Sequence, residues 1–267
     1  MSRWDQAQFS EKAYWEGSFS KSEEDFQKIC LNFYPIYKEI LANNNIVTTD
    51  KIIIDVGSGS YGFVSVIDAK EKYALDPLMN YFLTKVPKSF YESRNIEPVQ
   101  GVGEDLPFSN EFFDLICCMN TLDHAAEPKR VLEEADRCLK PGGYLLMSFN
   151  HYDWPIVIYR NFLEKIGLGD LCHPHTYHLS VVKRMLSENG FKIIDQKVGD
   201  MKEMSKKVEE AGGQTRSSIM QRCKRALKLR GAWHVFKQAL AYPGHFVFNH
   251  LFTTYPDTII LCQKSRI

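Results

Sequence analysis

Two carboxylates and three spaced glycines are the residues of this 267-residue chain best placed to do chemistry. Asp55 stands two positions before Gly57, the first residue of Gly57-Ser58-Gly59-Ser60-Tyr61-Gly62. Asp76 follows 21 residues after Asp55 and is succeeded by Pro77. Taken literally, the glycine run is the G-x-G-x-x-G pattern of dinucleotide sites, a weak signal on its own. Asp55 changes its meaning, because a carboxylate at the strand end repels a pyrophosphate and attracts a cation. S-adenosylmethionine carries a sulfonium and an ammonium group and no phosphate, so the acid favours it over NAD. An acid at the end of the next strand suits two ribose hydroxyls. That role serves either cofactor and does not separate them.

These side chains need a frame to hold them. Ile52-Ile53-Ile54 ahead of Asp55 reads as a buried strand running into a side-chain-free loop. Gly62 is expected to let the following helix pack closely, with Tyr61 packing outward. Strands are expected at 51–56, 72–76, 97–101, 113–119, 143–149, 191–198 and 257–263. Helices are expected near 61–69, 78–86, 127–139 and 181–189. Residues 1–47 read as a helical cap, with a start at Ser22-Glu23-Glu24-Asp25 and an apolar face of Phe26, Ile29, Cys30 and Phe33. Strands alternating with helices predict an α/β fold with a doubly wound, mostly parallel sheet.

The motifs come in an order that resembles the class I S-adenosylmethionine-dependent methyltransferases, in particular their small-molecule and quinone-type group. Asp55-Val-Gly-Ser-Gly59 is similar to their first motif and Ala74-Leu-Asp-Pro77 to their second. Val102-Gly103-Glu104-Asp105-Leu106-Pro107-Phe108 resembles the third-strand exit. Phe113-Asp-Leu-Ile116, left by Asn120-Thr-Leu-Asp-His124, resembles the fourth strand. Leu139-Lys-Pro-Gly-Gly-Tyr-Leu-Leu146 resembles the turn into the fifth. The match is ordered over residues 50–150 and weaker to 198. It implies a Rossmann-like methyltransferase fold, with a seventh, antiparallel strand supplied by the last segment. It also implies a cofactor site of Asp55, Gly57, Ser58, Gly59, Asp76, Pro77, Gly103, Glu104 and Asn120. Tyr14 and Trp15 act either as an aromatic cover or as a helix anchor. Many relatives carry an adenine-binding acid where this chain has Val102, so that contact passes to backbone or to Glu104, for which capping the following loop is the alternative role.

Histidines are the candidates for proton handling at the acceptor. His124 leaves the fourth strand, His151 ends the fifth, and His173-Pro-His-Thr-Tyr-His178 follows. For each of them a packing or capping role is the alternative. No metal is expected at the three clustered histidines. Pro174 stiffens the loop, and no Asp or Glu lies close beyond Asp170.

Composition bounds the rest. Apolar content of 44% supports one core with additions, and a net charge of zero points to neither nucleic acid nor membrane as a partner. Seven cysteines without zinc or disulfide spacing read as reduced thiols, with Cys117-Cys118 in the core. With no apolar leader and no run of 18 apolar residues, a cytoplasmic protein is expected.

Residues 199–256 form an insertion before the last strand, too long for a structureless loop. From Ala211 to Tyr255 it contains no Asp or Glu, while Arg216, Arg222, Lys224, Arg225, Lys228, Arg230 and Lys237 are basic. It is either a solvated helical hairpin or a lid. As a lid it would contact an anionic carrier or membrane through residues 214–238.

The expected function is methyl transfer to a small-molecule acceptor, anionic or lipid-like. An RNA or protein methyltransferase, an NAD-dependent oxidoreductase and a non-catalytic relative are the alternatives. Against RNA stand the net charge and the Asn120-Thr-Leu-Asp123 sequence where an Asn-Pro-Pro-Tyr motif would mark amino methylation. Against NAD stands Asp55.

Overall fold

The computed structural model describes residues 3–19, 34–167, 169, 172–198 and 254–265. Most of the basic insertion lies outside them. A seven-stranded sheet organises the described residues, in the order β3-β2-β1-β4-β5-β7-β6. Its strands are β1 (Ile52–Val56), β2 (Glu71–Asp76), β3 (Ile96–Gln100), β4 (Phe113–Met119), β5 (Leu139–Tyr152), β6 (Phe191–Lys197) and β7 (Thr254–Lys264). The pairings among β1 to β5 are parallel, and β7 runs antiparallel between β5 and β6. The seventh, antiparallel strand is thus where the motif order places it. It begins three residues earlier than expected.

Both faces of the sheet are covered, which explains why β1 and β4 read as continuous apolar runs rather than alternating ones. Ile54, Ile116 and Met147 face α5 (Pro128–Cys138) and α7 (Leu179–Glu188). Ile53, Leu115, Cys117 and Leu146 face α2 (Pro35–Asn43), α3 (Met79–Phe82) and α4 (Lys88–Glu92). Cys117 and Cys118 are both buried, as expected. Two further helices, α1 (Arg3–Phe19) and α6 (Trp154–Lys165), are joined by the Arg3–Glu164 ion pair.

Three local expectations are corrected. No α-helix follows the glycine loop; a single 3-10 turn, Phe63–Ser65, takes its place. Phe63, Val64 and Ile67 are all buried. The Asp55 carboxylate accepts the Phe63 and Val64 N–H groups, and the segment runs as an inward strap. Tyr61 also packs inward, 2% exposed and edge-to-face with Phe90 at 4.8 Å. The helix expected over 78–86 ends at Phe82, and Pro87, which disfavours helical backbone at Val86, caps a second one, Lys88–Glu92. The N-terminal cap contains α1 and α2, while the helix start and apolar face read over 22–33 lie outside the described residues.

Strand order reverses between β1 and β4, and the carboxyl ends of these strands open onto that switch point, the usual ligand crevice of an open α/β sheet. Asp55, Asp76, Asn120 and Tyr152 all lie at these ends.

Candidate active site

The glycine loop turns because Gly57 and Gly59 adopt left-handed backbone, with φ of 70° and 60°. A side chain at Gly57 would drive into Thr121, whose Cγ2 and Oγ1 occupy the position of a Cβ. Thr121 is itself fixed by donating to the Val56 carbonyl at 3.0 Å. Asn120, just before it, has φ of 51°, so β4 ends on a strained residue beside the loop. Two phenols pin the loop from below: Tyr91 donates to the Ser60 carbonyl and Tyr34 to the Tyr61 carbonyl. Ser58 turns its hydroxyl to the Gly59 carbonyl at 3.1 Å.

Asp76 ties this loop to the exit of β2. One carboxylate oxygen accepts the Gly59 N–H at 2.9 Å, and the other accepts the Leu78 N–H at 2.7 Å. Asp55 is buried beneath the loop and accepts the N–H groups of Phe63 and Val64. Gly62 is needed for this approach rather than for helix packing, since a Cβ there would stand 2.6 Å from Asp55 Oδ2. The other oxygen of Asp55, Oδ1, is buried without a hydrogen-bond partner among the described residues. Burial raises Asp55 to about 7 and Asp76 to about 6, against opposing backbone hydrogen bonds in both cases.

A pH dependence follows from these two acids. Their folded-state values lie above the ordinary 3.8, so the folded chain holds protons that the unfolded chain has released. Their contribution to stability is therefore full below about pH 4 and declines as pH rises to about 7. A ligand that donates to the carboxylates, or brings positive charge to them, favours the ionised forms. Affinity for S-adenosylhomocysteine is expected to rise between pH 5 and pH 7.5, with proton release on binding. Calorimetry in two buffers of different ionisation enthalpy measures that release. Equal heats in both would show that the acids are already ionised.

Helix α1 crosses the loop. The Trp15 ring lies 2.9 Å from the position a Gly59 Cβ would take, packs edge-on to Phe82, and donates through Nε1 to Glu11. Trp15 is thus the aromatic cover over the loop, whereas Tyr14 is 62% exposed and packs edge-on against Trp15. Glu11 reaches His124, with 3.6 Å between Oε2 and Nδ1, and its charge also raises Asp76. Beyond it the rings of His124 and His173 stand 4.4 Å apart.

The remaining sequence candidates are placed differently. Glu104 accepts the Ala126 and Glu127 N–H groups at 2.7 and 3.2 Å, which gives it a helix-start role at α5. Gly103 packs against Val56 and Val131, and the Pro77 carbonyl accepts from Gln100. His151 is buried, bonds Thr258 through Nδ1 at 2.9 Å, and is pushed down to about 4 by burial, which makes it a weak base at neutral pH. His175 bonds the Ala125 carbonyl, and His178 caps α7 and stacks on Trp154. Glu11 and Thr121 were not legible in sequence. Trp15 stood at helical spacing from Glu11, which was the available signal for that pair.

Residues 54–147 match the methyltransferase domain family. The chain is 32% identical over 134 residues to an uncharacterised protein of Methanocaldococcus jannaschii, covering 49% of this chain and 64% of that one. It is 26% identical over 159 residues to the ubiquinone biosynthesis O-methyltransferase of Coxiella burnetii, covering 56% and 67%. The chain thus spans about two thirds or less of the curated relatives' length. Its fold matches a putative sarcosine dimethylglycine methyltransferase from Galdieria sulphuraria with a TM-score of 0.60, at 13% identity, over 86% of this chain and 83% of that structure.

Proposed function

We propose, from the premise that residues 54–147 form a Rossmann-like methyltransferase domain, that this chain transfers the methyl group of S-adenosylmethionine to a small-molecule acceptor. The observation that carries the reading is the pair of buried acids bracing one glycine loop at the β1 and β2 ends. The site residues fit this cofactor: the loop admits no side chain at Gly57 or Gly59, and a buried Asp55 oxygen is without a partner among the described residues. Asp76 holds the ribose hydroxyls, the loop backbone meets the methionine end, and Trp15 covers it. Asp55 sets a negative field beneath a cationic ligand. The same field disfavours a pyrophosphate, which argues against NAD.

S-adenosylmethionine supplies a methyl group already activated on sulfur. The chain has to hold an acceptor in line with it and keep water out. Among the histidines, His124 and His173 sit together next to α1 and are the residues that handle the acceptor's proton. An anionic or lipid-like acceptor is in keeping with the ubiquinone relative and with the basic stretch at 214–238, the segment for a carrier or membrane contact. Among the described residues no helix is long and apolar enough to cross a membrane, and we place the enzyme in the cytoplasm.

Turnover tests this directly. With methyl-labelled S-adenosylmethionine and a panel of phenolic, quinol and phosphorylated acceptors, labelled product is expected together with stoichiometric S-adenosylhomocysteine. His124→Ala is expected to lower kcat by about 100-fold, the usual scale for losing proton handling, while leaving S-adenosylhomocysteine affinity nearly unchanged. Cofactor binding without turnover across the whole panel would contradict the enzymatic reading.

A further inference from the structure

We propose that Asp123, His124 and His173 form a site for a first-row divalent cation such as Zn²⁺. The sequence dismissed the histidines at 173, 175 and 178 as a metal cluster, and the fold indeed separates them. His175 and His178 are engaged with the Ala125 carbonyl and the α7 start, while His173 turns towards His124. The carboxylate that was missing from the sequence neighbourhood comes from the β4 exit. One donor atom from each of Asp123, His124 and His173 lies within 4.8 Å of the others. Donors on one such ion stand roughly 3–4 Å apart at bond lengths near 2.0–2.2 Å, so small side-chain rotations close the set. Two imidazoles and one carboxylate suit a first-row divalent ion and leave coordination positions open.

Two independent observations point the same way. Asp123 is only 5% exposed, yet its Oδ1 is buried without a hydrogen-bond partner among the described residues. The Tyr177 hydroxyl is likewise buried and unpartnered, close enough to feel the Asp123 charge. Buried polar atoms are seldom left unpaired, and a cation with its bound water would satisfy both. Glu11 supplies the outer shell. Its carboxylate faces His124 Nδ1, which leaves Nε2 for the ion in a carboxylate–histidine–metal arrangement. The role of the ion rests on the function proposed above: with both imidazoles on the ion, proton handling passes from them to the ion, whose open position would polarise an acceptor oxygen and favour its deprotonated form. Acceptors with two adjacent oxygens would chelate it best.

The test uses the full chain, stripped with a chelator and titrated with Co²⁺ alone. One equivalent is expected to bind, with visible ligand-field absorption. Outer-shell groups are worth about 10- to 100-fold in affinity, so Asp123→Asn and His173→Ala should each weaken binding by at least that much and Glu11→Gln by about tenfold. His178→Ala should leave it unchanged. Circular dichroism reports folding, and His173→Gln replaces His173→Ala if the latter is unfolded. No absorption change, or equal affinity in the wild type, Asp123→Asn and the His173 variant, would overturn the site. S-adenosylhomocysteine binding separates the two readings. Retained binding without a cobalt site removes the cation alone, and lost binding with a cobalt site removes the methyltransferase reading alone.

Discussion

Asp76→Ala is expected to lower affinity for S-adenosylhomocysteine by about 100- to 1000-fold while costing comparatively little folding stability. The affinity term comes from a charged acceptor serving ribose hydroxyls in a buried site, at about 1.5–3 kcal/mol per hydrogen bond. The same carboxylate orders the loop by accepting the Gly59 N–H. Stability behaves differently because two effects oppose each other. Removing the side chain strands the Gly59 and Leu78 N–H groups, at about 1–3 kcal/mol each. It also removes a carboxylate that burial disfavours, since a rise from 3.8 to about 6 corresponds to about 3 kcal/mol against the ionised form. A melting temperature within a few degrees of wild type beside a collapsed calorimetric affinity is the expected pair of results. Equal affinity in both proteins would mean that Asp76 is a loop brace and not a ligand.

Gly57→Ala is the second large effect, and it acts through the backbone. Left-handed φ costs a non-glycine residue about 1–2 kcal/mol, and forcing a Cβ against Thr121 adds about 1–3 kcal/mol of overpacking. A stability loss of about 2–5 kcal/mol is expected by denaturant titration, together with loss of cofactor binding as β4 and the loop are pushed apart. Thr121→Gly in the same chain should restore part of the packing term and none of the backbone term. The double variant is therefore expected to be more stable than the two single losses would give by addition. Strict additivity would show that the clash with Thr121 is relieved elsewhere.

The sheet and its cofactor edge were legible because their signals are local. Three β-branched residues, an acid and paired glycines occupy consecutive positions, so β1 and its loop follow from sequence with little error. The short strap after Gly62 was not legible. The helix expected there is replaced because Asp55 captures the Phe63 N–H from below, a contact between strand and loop that no periodicity records. The same holds for the acceptor side. His173 and His124 lie 49 positions apart in the chain, and only the packing of the β4 and β5 exits brings their rings to 4.4 Å. For Glu104 the motif position left two roles open, an adenine contact or a cap, and its carboxylate is engaged at the start of α5, a pairing across 22 positions that only the fold shows. Trp15 was legible as an aromatic near the site, but choosing it over Tyr14 required the direction of α1.

Calorimetric titration of the intact chain with S-adenosylhomocysteine, followed in parallel by tryptophan fluorescence, tests the central claim most directly. One binding site is expected, with a fluorescence change that Trp15→Phe abolishes because that ring covers Gly59. Absence of heat and of any fluorescence change at millimolar ligand would contradict the assignment of the glycine loop, Asp55 and Asp76 to this cofactor.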